Sequence, residues 1–169
     1  MKRNEFIKKS IAFGGIAVAG PVMAIPSGKS LTQGLFDPKV ISEFVSAAHK
    51  SLEDTQKIIE AKPLLLNCAS QLAKGDFETA IGGASHMGRR DIADFLVSKG
   101  ARLDIFNYAF LGYDDFVRRL ITDHPHLLNA PGPHGFTLLH HAEVGERKEL
   151  AAWLEEKGLK KTFFKGVFG

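Results

Sequence analysis

Apolar residues in this chain recur at helical spacing, in paired runs separated by short polar turns. From residue 37 onward the pattern divides into four pairs of segments. Pro38 follows Asp37 and suits a first helical turn, where its missing N–H has no partner in any case. A helix is predicted from Asp37 to Lys50, with its partner over Leu52 to Ala61. The next pairs are Thr79 to Met87 with Arg89 to Lys99, and Leu103 to Leu111 with Tyr113 to Asp123. The last is Thr137 to Val144 with Glu146 to Lys157. Strand alternation is almost absent, so the expected class is all-α. Phe44, Phe95, Phe116 and Trp153 fall on the apolar stripes and are expected in the core.

The pairs repeat. Thr79-Ala80-Ile81, Ala84, Phe95-Leu96 and Gly100-Ala101 return 58 residues on as Thr137-Leu138-Leu139, Ala142, Trp153-Leu154 and Gly158-Leu159. Ala47, Ile58-Ile59, Pro63, Leu65-Leu66 and Asn67 return after 62 residues as Ala109, Leu120-Ile121, Pro125, Leu127-Leu128 and Asn129. Each unit reads as a short helix, a tight turn, a longer helix and a loop, which is the sequence signature of a stacked helical array.

Gly135-Phe136-Thr137-Leu138-Leu139-His140-His141-Ala142 resembles the ankyrin signature Gly-x-Thr-Pro-Leu-His-x-Ala, with Leu138 in place of proline. Gly75 to Ile81 and His86 to Ala93 further resemble a subfamily of small exported bacterial ankyrin proteins. The resemblance covers roughly residues 38 to 160 and implies an ankyrin-type solenoid of about four irregular helix-turn-helix repeats. It also implies that Thr137 caps a helix and that His140 has a structural role. A threonine there would satisfy one otherwise unpaired backbone N–H. Spacing is uneven: Ala109 to Ala142 is the standard 33 residues, Ala47 to Ala84 is 37 and Ala84 to Ala109 only 25. The short interval lacks the residues of the β-hairpin finger that joins adjacent ankyrin repeats, leaving a gap or a direct crossing at 101–105.

The N-terminus changes how the charge is read. Lys2, Arg3, Lys8 and Lys9 precede an apolar stretch over Ile11 to Gly20, and Val22-Met23-Ala24 supplies small side chains for signal peptidase. Residues 1–24 therefore read as a signal peptide, residues 25–36 as a linker, 37–160 as the repeats and 161–169 as a C-terminal tail. Arg3-Asn4-Glu5-Phe6-Ile7-Lys8 is similar to a twin-arginine motif with Asn4 replacing one arginine, so both export routes stay open. Cleavage takes four of the 22 basic residues and one of the 19 acidic ones, leaving 18 of each. The net charge of +3 belongs to the signal, which removes the argument for nucleic acid or for an anionic membrane. The apolar stretch is too short for a stable membrane anchor. Cys68 is the single cysteine and permits no internal disulfide.

Candidate chemistry is sparse. His49, His86, His124, His126, His134, His140 and His141 are the only catalytic residue type in excess, and five of them fall in the segment 124–141. Zinc needs three or four ligands at about 2 Å, and neither a helical His-x-x-x-His nor a Glu-bearing zinc motif is present. Asp76 with Glu78 and Asp114 with Asp115 read as helix-start acids. The paired glycines Gly82-Gly83 lie inside a predicted helix, where close helix packing would account for them. The surface expected to meet a partner lines the helix starts and the short connection: Phe77, Glu78, Phe106, Asn107, Tyr108, Phe110 and Tyr113. Clustered aromatics there are either packing for the missing finger or anchors for a partner. The tail aromatics Phe163, Phe164 and Phe168 either cover the last repeat or meet a partner.

The expected function is an exported, periplasmic protein-binding module, not an enzyme and without a cofactor. The alternative is a metal-dependent or other enzyme using the histidine-rich loop at 124–141.

Overall fold

The structure, a computed structural model, describes residues 36–168. The expected signal peptide and all but the last residue of the linker lie outside the described residues. Eight α-helices and one two-stranded sheet make up the described residues, together with three short 3-10 turns. The helices are α1 (Pro38–Ala48), α2 (Leu52–Ala61), α3 (Ala80–His86), α4 (Arg90–Ser98), α5 (Ile105–Leu111), α6 (Asp114–Asp123), α7 (Leu138–Val144) and α8 (Lys148–Glu156). They form the four pairs the hydrophobic pattern predicts. Strands β1 (Ala69–Ala73) and β2 (Asp76–Thr79) form an antiparallel hairpin ahead of α3. This sheet departs from the near absence of strands expected from the sequence.

Local chemistry sets the helix ends. Thr79 and Thr137, the pair 58 residues apart, are both N-caps, accepting from the backbone N–H of Gly82 and His140. Asp37 and Ser51 cap α1 and α2 in the same way. The pair Pro63 and Pro125, related by 62 residues, each opens a 3-10 turn.

Two groups of buried side chains hold the pairs together. Phe44, Leu65, Ile81, Ile92, Leu96 and Phe110 belong to the first; Phe106, Val117, Leu138, Leu150, Leu154 and Leu159 belong to the second. Of the four aromatics expected inside, only Phe44 is fully buried. Phe95 and Trp153 sit at the margins, Trp153 carrying Arg118 and Lys157 on its ring faces. Phe116 is 53% exposed and packs edge-on against Tyr108.

The connections between pairs differ from one another. The first carries the hairpin. The second, residues 99–104, crosses directly without a finger, and Asn67 anchors it by accepting from the backbone N–H of Arg102 at 2.8 Å. The third passes through Pro125–Asn129 and Pro133–Gly135 and closes with Gly132 N–H donating to the Phe136 carbonyl. The first helices of the four pairs, α1, α3, α5 and α7, pack side by side, and α3 touches both α5 and α7. The last pair therefore reaches back to the second one. His140 Nε2 lies 2.8 Å from the His86 carbonyl across that contact.

The tail folds back as well. Thr137 Oγ1 donates to the Lys161 carbonyl at 2.6 Å, and Phe164 N–H donates to the Gly135 carbonyl. Gly135 takes φ +94° there, and a Cβ would fall 2.5 Å from the Phe164 carbonyl oxygen, so only glycine fits.

Asn107 illustrates how polar groups are used inside. Its Oδ1 accepts from the Asp104 N–H while Asp104 accepts from Phe106 and Asn107, a reciprocal cap on α5. Its Nδ2 donates to Ser85 Oγ on α3 at 3.0 Å. Replacing Asn107 with Ala removes both and leaves the Asp104 N–H unpaired. The expected loss is about 2 kcal/mol of unfolding free energy, read by urea denaturation.

Candidate metal centre

Four ionisable side chains from four parts of the chain meet beside the hairpin: His49, Glu78, His86 and His134, each offering a ligand atom within 4.8 Å of the others. His49 is the residue that ends α1, and His86 is the last residue of α3. Glu78 points inward because β2 alternates, with Asp76 and Glu78 buried and Phe77 exposed between them. His134 comes from the 3-10 turn before α7.

Backbone features aim these groups. A Cβ on Gly83 would fall 2.6 Å from the His49 ring, so the glycine inside α3 makes room for that imidazole. His49 Nδ1 lies 2.8 Å from the Val45 carbonyl, leaving Nε2 to face Glu78. Asp76 holds His134 twice. It accepts from the His134 backbone N–H at 3.1 Å and faces the ring Nδ1 at 3.0 Å, again leaving Nε2 toward Glu78. His134 adopts φ +59°, a left-handed conformation uncommon outside glycine and asparagine-like residues. His86 is packed against Phe136, whose ring stacks between His86 and His140 with centroids 5.0 and 4.2 Å away.

The centre of the group is a buried carboxylate. Glu78 Oε2 is 3.2 Å from His49 Nε2, and Oε1 is 2.9 Å from His86 Nδ1 and 3.5 Å from His134 Nε2. These atoms are close but poorly angled: neither Glu78 oxygen nor His86 Nδ1 has a hydrogen-bond partner. Burial pushes the Glu78 carboxyl up, but His49 and then His86 outweigh it and hold it down at about 2. The same contact with Glu78 raises the pKa of His49 against the opposing effect of burial. Unpaired buried acceptors facing three imidazole nitrogens form a donor set for a divalent cation. Asp76 behind His134 and the Val45 carbonyl behind His49 are placed as the outer hydrogen bonds that would orient these histidines toward a metal.

The remaining histidines have other positions. His124 and His126 are exposed at the end of α6 and in the following turn, and their rings lie against each other. His140 and His141 lie on α7, where His141 is fully buried with Nδ1 2.8 Å from the Thr137 carbonyl. Of the loop 124–141, only His134 enters the cluster, and His49 and His86 come from outside it.

The residues expected to meet a partner are not one surface. Glu78, Phe106, Asn107 and Phe110 are buried, because the inner faces of β2 and α5 are used for the cluster and the core. Tyr108 is half-buried, Tyr113 is half-exposed against it, and Phe77 is exposed on the outer face of the hairpin. Compared with known proteins, the chain matches no family model and no curated protein.

Two measurements check this geometry. Gly83→Ala displaces the His49 ring, so divalent-metal affinity falls at least about tenfold by calorimetric titration, while circular dichroism keeps its helical form. His141 is held down at about 3 by burial, which disfavours its charged form. Its folded pKa lies below the unfolded value, so the stability it contributes is complete above pH 6.5 and is lost as pH falls toward 3. Relative to a His141→Leu variant, the wild type loses about 1.4 kcal/mol for each pH unit in that window, read by denaturation at stepped pH.

Proposed function

We propose that this chain is an exported divalent-transition-metal-binding protein, built on an ankyrin-type stack with one shortened repeat. The observation that carries the reading is Glu78: a fully buried carboxylate, with no hydrogen-bond partner, facing three imidazole nitrogens. The imidazoles around Glu78 favour its ionised form, and a cation held by the same four groups would pair with that charge directly. Nitrogen ligands with one carboxylate suit zinc and its first-row neighbours and do not suit calcium or magnesium, which prefer oxygen.

The repeat pattern supports the stack and explains the site. Thr79 and Thr137 cap equivalent helices, and His49 and His86 stand two residues after the equivalent alanines Ala47 and Ala84. In a regular stack each repeat touches only its neighbours. Here the finger missing from the crossing at 99–104 lets the turn carrying His134 reach the hairpin of the second repeat. The charge pattern and apolar stretch of residues 1–24 support export.

This reading replaces protein binding as the first function, since three of the proposed contact residues, Phe106, Asn107 and Phe110, are used in the interior. It moves the metal alternative from the 124–141 loop to a centre in which His134 is that loop's only member.

The test is titration of the purified, metal-stripped full chain with zinc or cobalt(II). One equivalent binds to wild type and to the double variant His124→Ala/His126→Ala. Glu78→Gln and His86→Ala each lose at least about a hundredfold in affinity. At one hundred times its dissociation constant the metal also stabilises the wild type by about 2.7 kcal/mol. Equal affinity in wild type and Glu78→Gln contradicts the assignment.

A further inference from the structure

The four candidate ligands are unequally covered. The Glu78 and His86 side chains are 0% and 4% exposed, whereas those of His49 and His134 are 25% and 33% exposed. The group is sealed from the α3 side and open on the side of α1 and the hairpin. A cleft of about 420 Å³ lies on that open side, with His49, Glu78 and His134 in its wall. Its other walls include Ser42, Ser46 and Lys50 from α1 and the turn after it, and Leu72 from β1. Ser42, Ser46 and Lys50 are spaced four residues apart, so their polar ends follow one face of α1 and the turn after it.

A structural metal site is closed by its ligands, while a site that takes an outside ligand keeps one position reachable from solvent. Three neutral imidazoles and one carboxylate leave a divalent ion with one net positive charge. Lys50, the residue after His49, lines the same cleft and brings a second cation to it. Two hydroxyls and an ammonium donate hydrogen bonds, and Leu72, 44% exposed, offers an apolar wall. The chemistry that matches is an anionic oxygen group joined to a short apolar stem.

We infer that the metal centre carries an open coordination position which binds a small organic carboxylate in this cleft. His49, Glu78, His86 and His134 would hold the metal, which would supply the carboxylate with a Lewis-acid position on the side where His49 and His134 are exposed. Lys50, Ser42 and Ser46 hold the carboxylate's second oxygen, and the stem lies against Leu72. This inference rests on the metal reading above. No covalent step is involved; the carboxylate adds as a ligand or displaces bound water.

The experiment uses the cobalt(II)-loaded full chain, whose visible absorption reports coordination number. Azide, a small anion, and butyrate, a carboxylate with a short apolar stem, are the probes. The expected result is a saturable change in the cobalt bands with each. Lys50→Ala, at an exposed residue, leaves cobalt stoichiometry at one and weakens butyrate at least about tenfold. A stoichiometric cobalt complex whose spectrum neither anion changes overturns the open position and leaves the metal centre standing. A response to azide without one to butyrate overturns the carboxylate assignment. Failure of cobalt to bind overturns the metal reading itself, and this inference with it.

Discussion

Glu78 is an ionised carboxylate with no access to water, and the surrounding structure is arranged around that fact. Taking a charge out of water costs several kcal/mol unless partners replace its hydration. Helical proteins usually meet that demand with backbone N–H groups or an arginine. Here the groups facing Glu78 are imidazoles, and the angles between them leave both oxygens without a hydrogen bond. On the metal reading, a cation at the centre of the four groups would bind the same charge and link α1, the hairpin, α3 and the turn before α7.

That link depends on irregularities that look like defects when taken singly. Gly83 weakens α3 as a helix but admits the His49 ring. The left-handed residue His134 disfavours its turn but aligns both its backbone N–H and its ring with Asp76. The crossing at 99–104 carries no hairpin, and α7 packs on α3 as well as on α5. Phe136 fills the resulting seam, stacked between His86 and His140. Local strain concentrated around one group of side chains is the usual mark of a site and not of a packing compromise.

Much of the helical framework was legible in the sequence, because caps and apolar spacing are local signals. Thr79, Thr137 and Asp37 mark helix starts that hold to within two residues. The hairpin was not legible. Ala69-Ser70-Gln71-Leu72-Ala73 has no β-branched residue and exposes all but Ser70, so it carries almost no strand signal. Only Asp76-Phe77-Glu78-Thr79 alternates, and it is too short to read alone. The aromatic cluster at 106–110 read equally well as surface or interior, since a seven-residue helix gives too few turns to fix its buried face. The candidate metal centre was hidden for a different reason: its four side chains lie at 49, 78, 86 and 134, and no local motif joins them. One signal was available. His49 and His86 are 37 residues apart, the same interval as Ala47 and Ala84, which puts both imidazoles at one register of consecutive units.

X-ray absorption at the zinc edge of the zinc-loaded full chain tests the central claim most directly, because it reports which atoms surround the metal. Nitrogen and oxygen neighbours at about 2.0–2.2 Å, with the outer-shell scattering of about three imidazole rings, are what the account predicts. A first shell of oxygen alone, or one imidazole or none, would contradict it.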